Sequence, residues 1–138
     1  MKIIDTINGN FYLSLEEVIG NSKPYSEILT YKSIDRIWNV GNGYDWIYFK
    51  NIQIDTLYFF IAICFFEKKV KSIDFSFVSE LKSLSWDNWS EADELKKKDV
   101  FEFWLNENLG EKRKFDWGNI SSHYDGKGGS ARIIINYK

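Results

Sequence analysis

Apolar residues are most densely packed in the middle of this chain, at Leu57–Phe66 (LYFFIAICFF), which has no polar interruption and is bounded by Thr56 and Glu67. A spanning helix needs roughly 20 apolar residues, so the run is too short to cross a bilayer. Its aromatic and β-branched side chains suit a pleated strand. Neither alternate set of positions is polar, so both faces of that strand are expected to be covered. The run predicts the central strand of a sheet. Around it the pattern changes to alternation. Tyr44–Phe49 (YDWIYF) reads as a strand, and Ile52 and Ile54 alternate with Gln53 and Asp55. In Val70–Val78, Ile73, Phe75 and Phe77 face one way and Asp74 and Ser76 the other. Ser33–Val40 offers a further strand, with Ile34, Trp38 and Val40 on one side. Gly41-Asn42-Gly43 and Glu67-Lys68-Lys69 supply turns. Residues 44–78 therefore predict an antiparallel meander with short connections.

Helical signals lie on either side of the meander. Met1–Tyr12 suggests an edge strand through Ile3, Ile4 and Ile7, then a turn at Asn8-Gly9-Asn10. Ser14-Leu15-Glu16-Glu17 has capping-box form. It predicts a short helix with Leu15, Val18 and Ile19 inward, closed by Gly20. Pro24, the single proline, suits the start of a further turn through Tyr25–Leu29. Ser90 is a good N-cap, and Glu91, Asp93 and Glu94 fall in the first turn, where the helix dipole favours acids. Val100, Phe101, Trp104, Leu105 and Leu109 share one face at helical spacing, and Gly110 follows. One kinked helix or two consecutive helices would satisfy this stretch. Alternation then returns in Phe115 and Trp117, in Ile120, Ser122 and Tyr124, and in Ala131, Ile133, Ile135 and Tyr137. The phase shift at Gly118-Asn119 suggests a β-bulge, and Asp125–Gly129 a hairpin loop.

The expected fold is α+β: a mainly antiparallel sheet, built of a meander plus a C-terminal hairpin, packed with a few helices in a single domain over residues 1–138. Composition agrees, since 44% hydrophobic and 18% aromatic residues can fill a core at this length without disulfides or metals. The single cysteine, Cys64, sits inside the apolar run, which implies a buried and inert thiol. Lacking a disulfide framework and a signal-peptide apolar core, the chain is expected in the cytoplasm. No membrane contact is expected. A net charge of −2 argues against direct nucleic-acid binding, which usually draws on a basic surplus. The Lys112-Arg113-Lys114 run before Phe115 and Trp117 reads as a polar loop entering a strand.

Catalytic chemistry has few candidates. His123 is the one histidine; with Asp125 it offers two possible ligands or an acid–base pair, and no other His/Cys cluster accompanies them. No metal, cofactor or catalytic residue is expected. Gly126-Lys127-Gly128-Gly129-Ser130 lacks the Lys-Ser/Thr order and the following helix of a phosphate loop. The adjacent acids Glu16-Glu17 and Asp93-Glu94 do not face each other on a helix. The distinctive stretch is Trp86–Glu94 (WDNWSEADE), with four acids, two tryptophans and no basic residue. Trp86 and Trp89 could anchor an interface, or cover the end of the core. Asp87, Glu91, Asp93 and Glu94 would then steer a cationic partner, or cap the helix.

Several features stand in a suggestive order: a YDWIYFKN strand, a LYFFIAICF strand, SWDNWSEADELKKK, a WL…LG helix end, FDWGNISSHYD, a glycine turn and ARIIINY. Over about residues 44–138 this organisation resembles small bacterial immunity proteins of polymorphic-toxin and contact-dependent growth inhibition systems. The resemblance implies a non-enzymatic inhibitor that binds a cognate toxin domain, often a nuclease with a basic surface. It carries no functional residue by motif. Two other classes stay open: a small-ligand-binding domain with an aromatic pocket, and an enzyme using His123 and Asp125.

Overall fold

The computed structural model describes residues 3–21, 23–79, 91–125 and 130–138. The fold is α+β and dominated by antiparallel sheet. A small two-stranded sheet pairs β1 (Phe11–Tyr12) with β2 (Val18–Ile19). The main sheet holds β3 (Ile34–Gly41), β4 (Tyr44–Phe49), β5 (Ile52–Ile54), β6 (Leu57–Phe66), β7 (Lys69–Val78), β8 (Lys114–Phe115), β9 (Gly118–Asp125) and β10 (Ser130–Tyr137). Their order is β3-β4-β6-β7-β10-β9-β8, with β5 continuing the line of β4 along β6. The helices are α1 (Tyr25–Ile28) and α2 (Glu91–Leu109).

The meander forms as the alternation predicts. Leu57–Phe66 is an interior strand, bonded to β4 and β5 on one side and β7 on the other. Asn42 and Gly43 both take positive φ, as do Glu67 and Lys68, which matches the backbone twist of tight hairpins. The two turns are joined where the Glu67 N–H donates to the Gly43 carbonyl (2.7 Å). After α2 the chain returns through β8 and β9, and β10 enters between β7 and β9.

The first face of the sheet carries Ile47, Phe59, Ile61, Ile63, Phe65, Ile73, Phe75, Phe77, Ile133 and Ile135, all buried. Two blocks cover it. Residues 3–31 bring Phe11 onto Phe75 (ring centroids 5.1 Å apart) and Tyr25 onto Phe65 (4.9 Å). Helix α2 brings Phe101 onto Phe77, and Trp104 among Phe59, Phe75 and Phe77. Trp117 and Tyr137 pin the N-terminal segment by donating to the carbonyls of Thr6 (2.8 Å) and Gly9 (2.6 Å). Gly9 has φ +78°, and a side chain there would strike the Trp117 ring.

Four local expectations are corrected. Residues 14–20 form no helix. The Ser14 hydroxyl accepts from the Glu16 and Glu17 amides, as a cap would, but the chain turns and Val18–Ile19 pairs with Phe11–Tyr12 instead. The Glu17 carboxylate is drawn away to the Ser33 hydroxyl and the Lys32 amide (2.7 Å), and Leu15 is 87% exposed. Ile4 bridges Phe11, but Ile7 lies in a turn and is exposed. The phase shift at Gly118-Asn119 is a hairpin rather than a bulge: Lys114 pairs with Asn119 and Phe115 with Gly118 across a two-residue turn. Helix α2 is one continuous helix ended by Gly110 at φ +76°, and Val100 points outward while Phe101 and Leu105 are buried. On β6 the described elements pack over the face of Phe59, Ile61, Ile63 and Phe65. Its second face, Tyr58, Phe60, Ala62 and Cys64, has no described element packed over it.

Candidate functional site

Register places the side chains of the second sheet face. Because neighbours alternate by two, Trp38 stands beside Trp46, which stands beside Cys64 and then Ser72. The next row runs Arg36, Tyr48, Ala62, Asp74, Ile134 and Ser121. Tyr58 and Phe60 lie further along β6, opposite Val78 and Ser76. This face thus divides into an aromatic half on β3, β4 and β6 and a polar half on β7, β10 and β9.

In the aromatic half, Trp46, Tyr48, Tyr58 and Phe60 are half-buried and Trp38 is 54% exposed. Trp46 and Tyr48 lie nearly parallel (21°) with centroids 6.1 Å apart, and the Arg36 guanidinium sits 4.3 Å over the Tyr48 ring. Ala62 and Cys64 are buried between these larger neighbours. Burial raises the Cys64 thiol pKa. In the polar half, Arg132 pairs with Asp74, and the Ser121 hydroxyl meets His123 Nε2 at 2.7 Å. On edge strand β3, Ile37 and Val40 are each 45% exposed, Ile37 on the register of the covered-face Ile47.

A second cluster braces the end of this region. Asp45 is buried and accepts from Lys68 Nζ (2.8 Å) and the Asn39 amide (2.6 Å), so its carboxyl pKa is held below the ordinary range. The same contact raises the Lys68 pKa, and Lys68 also lies 4.5 Å over the Tyr25 ring. Asp45 is on the covered face, so the cluster ties the ends of two hairpins to the N-terminal layer.

The residues singled out in the sequence fall elsewhere. Trp86, Asp87 and Trp89 lie outside the described residues, as does the expected N-cap Ser90. Glu91 opens α2. Asp93 is exposed, while Glu94 is half-buried, pairing with Lys97 (2.9 Å) and accepting from the Ala131 amide (3.2 Å). Glu94 therefore ties α2 to the start of β10, near the β9–β10 connection. Strand β3 sits at the other end, where β6 turns into β7. Among the described residues, no hydrogen bond or ion pair joins Glu94 to Trp38, Trp46 or Tyr48. Among the described residues no three His, Cys, Asp or Glu side chains gather as metal ligands. Surface depressions of about 230 Å³ between Leu57, Phe77, Val78 and Phe101 and about 500 Å³ between Leu13, Leu15, Gln53 and Ile54 lie away from Trp46 and Tyr48. No helix among the described residues is long and apolar enough to cross a membrane.

The sequence did carry a signal for the open face. Trp46 and Tyr48 alternate with the buried Asp45, Ile47 and Phe49, and Phe60 alternates with Phe59 and Ile61. That both sets are aromatic hid which one the fold would cover. Comparisons with protein-family models, curated proteins and solved structures found no match to this chain.

Proposed function

We propose that this protein is a stoichiometric binding protein of the immunity or inhibitor kind, which engages a cognate toxin domain through the open face of its sheet. One observation carries the proposal: the aromatic half of that face, Trp38, Trp46, Tyr48, Tyr58 and Phe60, has no described element over it, while residues 3–31 and α2 pack on the opposite face. Trp and Tyr anchors with a neighbouring Arg are the composition that dominates binding energy at protein interfaces. The resemblance of residues 44–138 to immunity proteins suggests the kind of partner. A second contact is proposed at the acidic Trp86–Glu94 stretch, whose four acids and two tryptophans with no basic residue would complement a basic toxin surface.

Co-expression with the product of the adjacent open reading frame tests this. The expected result is a 1:1 complex that suppresses the partner's toxicity, weakened by Trp46→Ala with the fold retained. Asp87→Lys and Glu91→Lys should slow association and alter its salt dependence. Unchanged association in both acid variants removes the acidic stretch from the interface. An unchanged complex in the Trp46→Ala variant removes the open face.

A further inference from the structure

We infer that the outer edge of β3 pairs antiparallel with β3 of a second copy of this chain, joining two sheets into one across a two-fold axis at Ile37. Strand β3 is eight residues long and ends the sheet order, with β4 as its one partner among the described strands. Its exposed apolar side chains lie on both faces: Ile37 follows the covered-face register of Ile47, and Trp38 the open-face register of Trp46. An edge that is both apolar and unpaired is a template for another strand.

The backbone is aimed correctly. Bonded and non-bonded pairs alternate in an antiparallel ladder. Counting from the Lys50 N–H bond to the Ser33 carbonyl (2.8 Å) at one end and the two-residue turn at the other, Ile37 and Asn39 are non-bonded towards β4. Their N–H and C=O groups therefore point outward, towards a second copy.

The side chains choose that second copy as the occupant. About an axis at Ile37 the strand is its own complement. Ile37 meets Ile37, and each Arg36 meets the other copy's Trp38. The Arg36 guanidinium, already over Tyr48, would lie between two aromatic rings. Asp35 meets Asn39, so no like charges stand opposite one another. Moving the axis to Trp38 loses the cation–π pairs, and moving it to Arg36 opposes two guanidinium groups. Register shifts between Ile34 and Arg36 and between Asn39 and Gly41 confine the straight ladder to the centre of the strand. The pairing is therefore short, and the dimer should dissociate on dilution. In the dimer the open faces of both copies become continuous, with the tryptophans of β3 and β4 at the centre.

Sedimentation of the full chain from about 1 µM to about 500 µM tests this, since a self-associating species shifts with concentration. The expected result is a reversible rise from the 16.3 kDa chain mass towards twice that value. Ile37→Lys should abolish the rise at every concentration with melting unchanged. Phe103→Lys, on the outer surface of α2 where Phe103 is 66% exposed, should leave it intact. A wild-type chain that stays monomeric throughout, or a dimer lost in Phe103→Lys and kept in Ile37→Lys, overturns the inference. Hydrogen exchange of the wild-type chain gives an answer free of folding defects in the variants. Exchange at the Ile37 amide should slow at least tenfold across the same concentrations, and a rate independent of concentration overturns the pairing.

Discussion

The two faces of the main sheet are built from the same kinds of residue and do different things. On β6 the covered set is Phe59, Ile61, Ile63 and Phe65, and the open set is Tyr58, Phe60, Ala62 and Cys64. Aromatic content does not separate them. What separates them is what lies above: residues 3–31 and α2 over the first, no described element over the second. The covered face converts its apolar area into stability, while the open face keeps apolar area in contact with water. In a small domain that is a cost to the isolated molecule, and binding recovers it.

The largest effect should come from the covered face. Phe75 is fully buried against Phe11, Phe59 and Trp104. Phe75→Ala should cost about 3–5 kcal/mol, read as a lower denaturation midpoint with an unchanged slope. Trp46→Ala, at the half-buried centre of the open face, should cost about 1 kcal/mol of stability. Its effect on partner binding should be larger, about 2 kcal/mol. Equal stability losses in the two variants would break the distinction between the faces.

A pH titration sharpens the comparison at the Asp45–Lys68 pair, which anchors β4 to the N-terminal layer. The folded-state pKa of Asp45 is lowered, chiefly by the Lys68 hydrogen bond and then by Asn39. Its contribution is therefore present above the ordinary carboxylate pKa and fades as pH falls towards the folded value. The Lys68 pKa is raised, so its contribution is present at neutral pH and lost as pH rises through the folded value. Melting of wild type should fall at both extremes. Asp45→Asn should flatten both limbs, and a variant that retains the full acid limb would show that other carboxylates produce it. The smallest effect belongs to Trp38→Thr, which should change monomer stability by no more than about 0.5 kcal/mol. A large loss there would mean that Trp38 supports the fold.

Much of the main sheet was legible in the chain because strand periodicity and turn chemistry agreed. Ile73, Phe75 and Phe77 alternate with Asp74 and Ser76, and the Gly41–Gly43 and Glu67–Lys68 turns fix the connections. The N-terminal segment misled for a physical reason. Ser14 makes its cap-like bonds in a turn as readily as in a helix, and the tertiary bonds of Glu17 to Ser33 and Lys32 decided between them. The hairpin at Asp116-Trp117 was mistaken for a bulge because both shift the alternation. The open face was the least legible feature. An uninterrupted apolar strand implies a layer on each side, and the sequence does not reveal that the described elements pack on only one of them.

The most direct test of the division of labour is a calorimetric titration of the adjacent open reading frame's product, with melting measured on the same samples. Wild type is compared with a Trp46→Ala, Tyr48→Ala double variant. The open face predicts 1:1 binding by wild type, weakened at least about 30-fold in the double variant, with a melting temperature within a few degrees of wild type. Unchanged affinity in a folded double variant would contradict the assignment of the open face as the working surface.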